Sequence, residues 1–257
     1  MPLQTINDVI AALDAIIQRA WDEKSRLGYF AALYRRVTRA VKAGITCKQF
    51  SDCQRMETLD VVFASRYLDA YNAVQANQKL SRCWNLAFRA CTDDGCLILQ
   101  HLLAGMNAHI NLDLGVASAQ VSPGDQLPGL KSDFDQINTV LAAQVGAVED
   151  EMAGLSPPIK DLSKVGLKSE TTLINFNIDL ARKAAWFVAQ RLANEPAVLR
   201  EITIDGLDLA VSVEGRAILY PPFKGDALAA IRAAELQDVR KVIEILASDP
   251  ASTTPAS

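Results

Sequence analysis

The chain has 257 residues, half of them apolar and 22% charged, with a formal net charge of -4. That composition supports a sizeable core without disulfides or a structural metal. The mild negative charge excludes a broad nucleic-acid footprint, and no window holds the roughly 18 to 20 unbroken apolar residues that a membrane span needs.

Five cysteines (Cys47, Cys53, Cys83, Cys91, Cys96) form an odd set without a Cys-x-x-Cys pair. With no signal peptide at the N-terminus, they read as free thiols, and a soluble cytoplasmic protein is the expectation.

The pattern is helical almost throughout. Thr5 and Asp8 form a capping-box signature ahead of the apolar stripe Ile6, Val9, Ile10, Leu13, Ile16 and Ile17. A second stripe runs Phe30, Leu33, Tyr34, Val37 and Val41, with Gly44 placed to end it. The basic run Arg35, Arg36, Arg39 and Lys42 is expected on a solvated face. A long helix follows from Asp52 to about Ala76, then a short one around Leu80 to Cys91. Thr92, Asp93 and Asp94 are placed to cap the apolar run Leu97 to Leu114.

Past the Pro/Gly-rich loop at Ser122–Gly129, helices are expected over about Lys131–Gly154 and Glu170–Ala193. Residues 201–220 mix strand-like alternation with helical spacing. They are assigned to helix because a strand would have no partner. Pro221-Pro222 precedes a last helix, about Gly225 to Ala247. The whole reads as an all-α, single-domain multi-helix bundle over residues 1–248 with a disordered tail at 249–257.

The chemistry concentrates in Gln100–Leu114, which contains both histidines, His101 and His109, together with Asn107, Asn111 and Asp113 in an otherwise oily run. Burying such groups unpaired costs about 1–3 kcal/mol each, so they need partners or a ligand. At 100° per residue, Asn107 and Asn111 share one flank and His109 and Asp113 the other. Gly105 leaves a notch between the two histidines where a substrate or second backbone can approach.

His101 and His109 lie about 12 Å apart along a straight helix, too far to share one metal. His109 and Asp113 are the better chelating pair, with Asp60 and Asp69 as further candidate ligands. No His-Glu-x-x-His motif or Gly-x-Ser-x-Gly elbow is present, and the cofactor stays unassigned. For acid–base work, His109 oriented by Asp113 or Asp69 is the natural catalyst, with His101 as a second imidazole. Asn107 or Asn111 would serve as oxyanion donors, and Arg66, Tyr34 and Tyr67 as charge clamp or proton donors. Tyr29, Phe30, Tyr34, Trp84, Phe88 and Trp186 are expected mainly to pack the core.

The stretch LQHLLAGMNAHINLDLG, with FASRYLDAY before it and DFDQIN after it, resembles a bacterial family of uncharacterised all-helical proteins. The family motif is similar to His-x3-Gly-Met-Asn-Ala-His-Ile-Asn-x-Asp-Leu, and the likeness runs from about Tyr29 to Trp186, more weakly to Leu246. His101, Gly105, Asn107, His109, Asn111 and Asp113 match it, as do Arg66 and Asp69. The resemblance implies a helical fold and a site in this stretch, and it carries no reaction.

The function expected is that of a small-molecule enzyme using acid–base chemistry for isomerisation, cyclisation or hydrolysis of an apolar substrate. The alternatives are a metal-dependent hydrolase and a non-catalytic ligand-binding or scaffold protein. No nucleic-acid or membrane partner is expected, and oligomerisation is compatible with the sequence.

Overall fold

The computed structural model describes residues 3–157, 177–221 and 225–248, and among these every regular element is helical. Ile6, Val9, Leu13, Ile16 and Ile17 form the buried face of α1 (Ile6–Glu23). Its capping box is made as the spacing requires: the Thr5 hydroxyl accepts from the Asp8 N–H, and the Asp8 carboxylate accepts from the Thr5 N–H at 2.9 Å. Helix α2 (Leu27–Thr46) packs back along α1. Gly44 does not end it; the helix runs on to Thr46, and Lys48 takes the left-handed conformation at φ 55°. The missing side chain of Gly44 serves packing, since the Phe50 ring folds over it.

Arg35 and Arg36 of α2 do not lie on a solvated face either, because later parts of the chain cover them, while the Arg39 side chain stays 38% exposed. Arg36 is buried and bonds both carboxylate oxygens of Glu151 at 2.7 Å, while Arg35 holds Asp14 and the Ala247 carbonyl.

After α3 (Cys53–Gln75) and α4 (Arg82–Ala90), one continuous rod runs through the middle of the molecule. It consists of α5 (Ile98–Met106), a π-helical stretch at Asn107–Leu114, and α6 (Gly115–Val121), and it touches α2, α3, α4, α8 (Ile178–Asn194) and α9 (Ala197–Leu219). Residues 201–220 thus fall mostly on a helix. Helix α7 (Leu127–Leu155) packs beside α2 and α8. The expected start of α8 near Glu170 and the tail at 249–257 lie outside the described residues.

Thr92–Asp94 do not cap the rod. Asp93 accepts from the Gly95 N–H in a turn, and Asp94 pairs with Arg26. The cap is supplied by Gln100, whose Oε1 accepts from the Leu97 N–H at 2.8 Å, and by Glu235, whose carboxylate accepts from the Ile98 N–H at 3.2 Å. Glu235 falls at a break that splits the expected last helix into α10 (Gly225–Ala234) and α11 (Val239–Ala247). There the Leu236 N–H bonds the Leu155 carbonyl, and Asp238 caps α11. No helix among the described residues is long and apolar enough to cross a membrane, and all five cysteines are unpaired.

His101 enters the core from α5. It is 4% exposed, meets Tyr29 edge-on with ring centroids 5.8 Å apart, and neither ring nitrogen has a hydrogen-bond partner among the described residues. Burial first, then the nearby Arg26 and Arg232 charges, push its pKa down to about 4. Between that value and the ordinary imidazole value the unfolded chain binds the extra proton, so the fold loses stability as pH falls through this window. His101→Phe removes the titration and keeps the edge-on contact. Its stability advantage over the wild type, measured by urea unfolding, should therefore grow by up to about 1.4 kcal/mol per pH unit from pH 6.5 towards 4. A gap that stays constant would mean this imidazole titrates normally.

Helix α6 approaches α8 so closely that a Cβ on Gly115 would lie 2.7 Å from the Ala185 carbonyl oxygen, whereas a Cβ on Gly206 in α9 would meet nothing within 4 Å. Gly115→Ala should cost about 1–3 kcal/mol by forcing two backbones apart. Gly206→Ala should stabilise by up to about 1 kcal/mol through helix propensity. Urea midpoints of the two variants at unchanged m-value should move in opposite directions.

Candidate functional site

The π-helical stretch holds Asn107, His109, Asn111 and Asp113. In a π-helix each N–H bonds five residues back, so the turn is wider than the straight α-helix assumed from sequence, and such segments recur at functional sites. The two flanks expected from spacing are kept, and they do different work.

On one flank the Asn107 amide donates to the Val211 carbonyl at 2.9 Å, and the Asn111 amide donates to Asn107 Oδ1 at 2.9 Å and Glu214 at 3.2 Å. Both asparagines are thereby committed to α9. They seat the rod against that helix and do not line the cavity described below.

On the other flank, Asp113 is 1% exposed and accepts from three groups. Arg66 Nε lies 2.8 Å from Oδ1; Trp84 Nε1 lies 2.9 Å and His109 Nδ1 3.3 Å from Oδ2. A carboxylate facing a guanidinium and an indole N–H is an acceptor only, so the His109 Nδ1 carries the proton and Nε2 holds the lone pair. That Nε2 is buried and has no hydrogen-bond partner among the described residues. Phe63 stacks on the imidazole with centroids 3.6 Å apart, and Tyr34 meets it edge-on at 4.6 Å. This apolar wrapping lowers the His109 pKa, against the opposing pull of the Asp113 hydrogen bond.

His109 opens on a cavity of about 250 Å³ between α2, α3, the π-helical stretch, α7 and α8. For scale, an engineered apolar cavity of about 150 Å³ takes benzene. Among the described residues the wall is almost wholly apolar, with Tyr34, Asp60 and Arg182 as its other polar members. Among the described residues neither the buried Tyr34 hydroxyl nor the buried Asp60 Oδ2 has a hydrogen-bond partner. Burial, reinforced by Asp60 and Asp113, raises the Tyr34 pKa well above the ordinary phenol value. Burial, with Glu57 adding repulsion, pushes Asp60 up to about 7.

The other sequence candidates scatter. Gly105 offers no notch, because the Phe30 ring fills it: a Cβ there would lie 2.6 Å from that ring. Tyr67 is buried among Phe30, Tyr34 and Trp84, outside the cavity lining, and its hydroxyl has no partner among the described residues. His101 is also outside that lining, and Asp69 is exposed in a separate groove with Leu3 and Arg19. Among the described residues no three His, Cys, Asp or Glu side chains gather as a metal-ligand set.

Phe63, Trp84 and Arg182 belong to the site and were not expected there. Arg182 had a readable signal: it sits at i with Ala185, Trp186 and Ala189 at i+3, i+4 and i+7, on the buried stripe of α8. Trp84 reads from sequence as core packing, and its N–H bond to Asp113 depends on tertiary contact alone.

Comparison of the chain with curated proteins and with solved structures finds no match. A family model described as "Family of unknown function (DUF5995)" matches residues 6–221, a span that includes the whole rod, the His109–Asp113 pair and Arg182, and the chain belongs to that family.

Proposed function

We propose that this protein is an enzyme that moves a proton on an apolar carbonyl compound bound in the cavity, an isomerase type of reaction. The single observation behind this reading is the unpartnered His109 Nε2 at the wall of an apolar hollow, with the other ring nitrogen fixed by Asp113. A buried imidazole held in one tautomer by a carboxylate is a general base ready to act.

The Tyr34 hydroxyl and the Asp60 carboxyl supply the matching donors. An apolar site keeps a carboxylic acid protonated so that it donates a hydrogen bond. In this scheme His109 Nε2 takes the proton from the carbon beside the carbonyl. The C–H electron pair moves into the new C=C bond, and the charge settles on oxygen as an enolate hydrogen-bonded by Tyr34 and Asp60. Where the substrate carries a C=C bond beside that carbon, the imidazolium returns the proton at its far carbon and the double bond moves into conjugation with the carbonyl; without one the proton returns to the same carbon, and in neither case is an electron gained or lost. Arg66 and Trp84 hold Asp113, and so position the base without touching the substrate.

Deuterium incorporation into an apolar methyl ketone in D2O, followed by NMR, reads this step directly. The wild type should exchange the α-protons above the buffer rate, and His109→Gln should lose about 10²–10⁴-fold. If the ketone binds and no exchange occurs, the cavity serves a carrier, and the enzymatic reading fails.

The pH profile separates the donors from the base. Neutral His109 persists below the ordinary imidazole value, so its acid limb lies low. The Asp60 proton is lost as pH rises through about 7, so exchange should decline there. Asp60→Asn keeps a donor that does not titrate and should flatten that decline; an unchanged profile would remove Asp60 from the scheme.

A further inference from the structure

We infer that the cavity's ligand is an elongated apolar molecule with an anionic end, a carboxylate or a group of the same charge, that rests on Arg182 at the opposite end from His109. This identifies the substrate class for the site just described, and it rests on that reading of the cavity.

Arg182 is 5% exposed and lines the cavity. Its Nε donates to Asn138 Oδ1 and its Nη2 to the Phe134 carbonyl, so both bonds go to neutral oxygens. No carboxylate among the described residues pairs with it; Asp135 and Asp179 act on it only as more distant charges. A buried guanidinium normally has an ionic partner, because an uncompensated buried charge costs several kcal/mol. The Nη1 carries no hydrogen bond to any described residue, which leaves one edge of the guanidinium fork unspent. Burial pushes the group down to about 10, so it stays cationic at neutral pH.

The ends of the cavity follow from the helices that line it. Phe30 and Val41, both wall residues, stand 11 positions apart on α2, which is about 16 Å of helix. His109 lies beside Phe30 and Tyr34, at the N-terminal end of this span. Arg182 lies under Phe134, which shares an apolar cluster with Val41 and Met56. The Asp133 carboxylate, next to Phe134, bonds the backbone at Ser51 and Asp52, just beyond the C-terminal end of α2. The cation and the base therefore stand towards opposite ends of an apolar wall, whose other ionisable groups among the described residues are Tyr34, beside His109, and Asp60. A rod-like acid fits: its anion meets Arg182, its methylene body covers the wall, and its far end reaches the imidazole.

Isothermal titration of the full chain with decanoate, 1-decanol and decyltrimethylammonium, each below its aggregation limit, tests the assignment. Decanoate should bind tightest and the cation weakest. Arg182→Gln should weaken decanoate by about tenfold or more and leave decanol unchanged. Arg182→Lys retains the charge and should keep part of the preference, which guards against a glutamine variant that fails to fold. Equal binding of decanoate and decanol, or decanoate binding indifferent to Arg182, would overturn the anchor and leave the apolar cavity standing. Failure of all three probes to bind would overturn the cavity reading together with the anchor.

Discussion

A carboxyl group as deeply buried as that of Asp113 is tolerable only when its oxygens are answered, since removing a charge from water costs several kcal/mol before any pairing. Arg66, Trp84 and His109 answer it from three different elements. The same three bonds therefore hold α3 and α4 to the rod, orient the imidazole and determine which of its nitrogens is free. Losing Asp113 would release all of these at once. The π-helical stretch belongs to this arrangement: it carries His109 and Asp113 on one flank while Asn107 and Asn111 dock α9 on the other.

A second constraint recurs through the molecule. Helix N-termini leave unsatisfied N–H groups, and here several are met by buried carboxylates from much later in the chain. Asp208 of α9 accepts from the Arg82 and Cys83 N–H groups at the start of α4, and Glu235 accepts from Ile98 at the start of α5. Asp133 of α7 accepts from Ser51 and Asp52 ahead of α3. Each such bond satisfies both the orphan donor and the buried acid, and adds the favourable meeting of negative charge with a helix N-terminus. Gln100 does the converse for α9, donating to the Ile218 and Leu219 carbonyls at its C-terminal end.

These bonds explain what was legible in the sequence. Helix existence could be read from apolar periodicity, because burial follows the 3.6-residue repeat directly; the stripes of α1 and α2 lie where the spacing put them. The cap of α1 was legible because Thr5 and Asp8 are local. The cap of α5 was not, because Glu235 comes 137 positions later than its partner Ile98. Asp93 and Asp94 look like a cap only until Arg26 is known to engage one of them. The break between α10 and α11 was hidden for the same reason. The His109–Asp113 pairing followed from a separation of four residues. The division of labour between asparagines and histidine did not, because it depends on which neighbour lies across each flank.

The two histidines show how far environment outweighs residue type. Both are almost wholly buried, and burial lowers the pKa of both. Among the described residues His101 has no hydrogen-bonding neighbour to select its tautomer, and its ring behaves as a slightly misfit aromatic against Tyr29. His109 has one nitrogen claimed and the other unclaimed, and the unclaimed atom belongs to a residue at the wall of a hollow. The same reasoning applies to Arg36 and Arg182. Both are buried on helix faces, yet Arg36 meets both oxygens of Glu151 while Arg182 meets only neutral ones. A ligand that brings a negative charge to one end of the cavity and an exchangeable C–H to the other would supply what Arg182 and His109 lack.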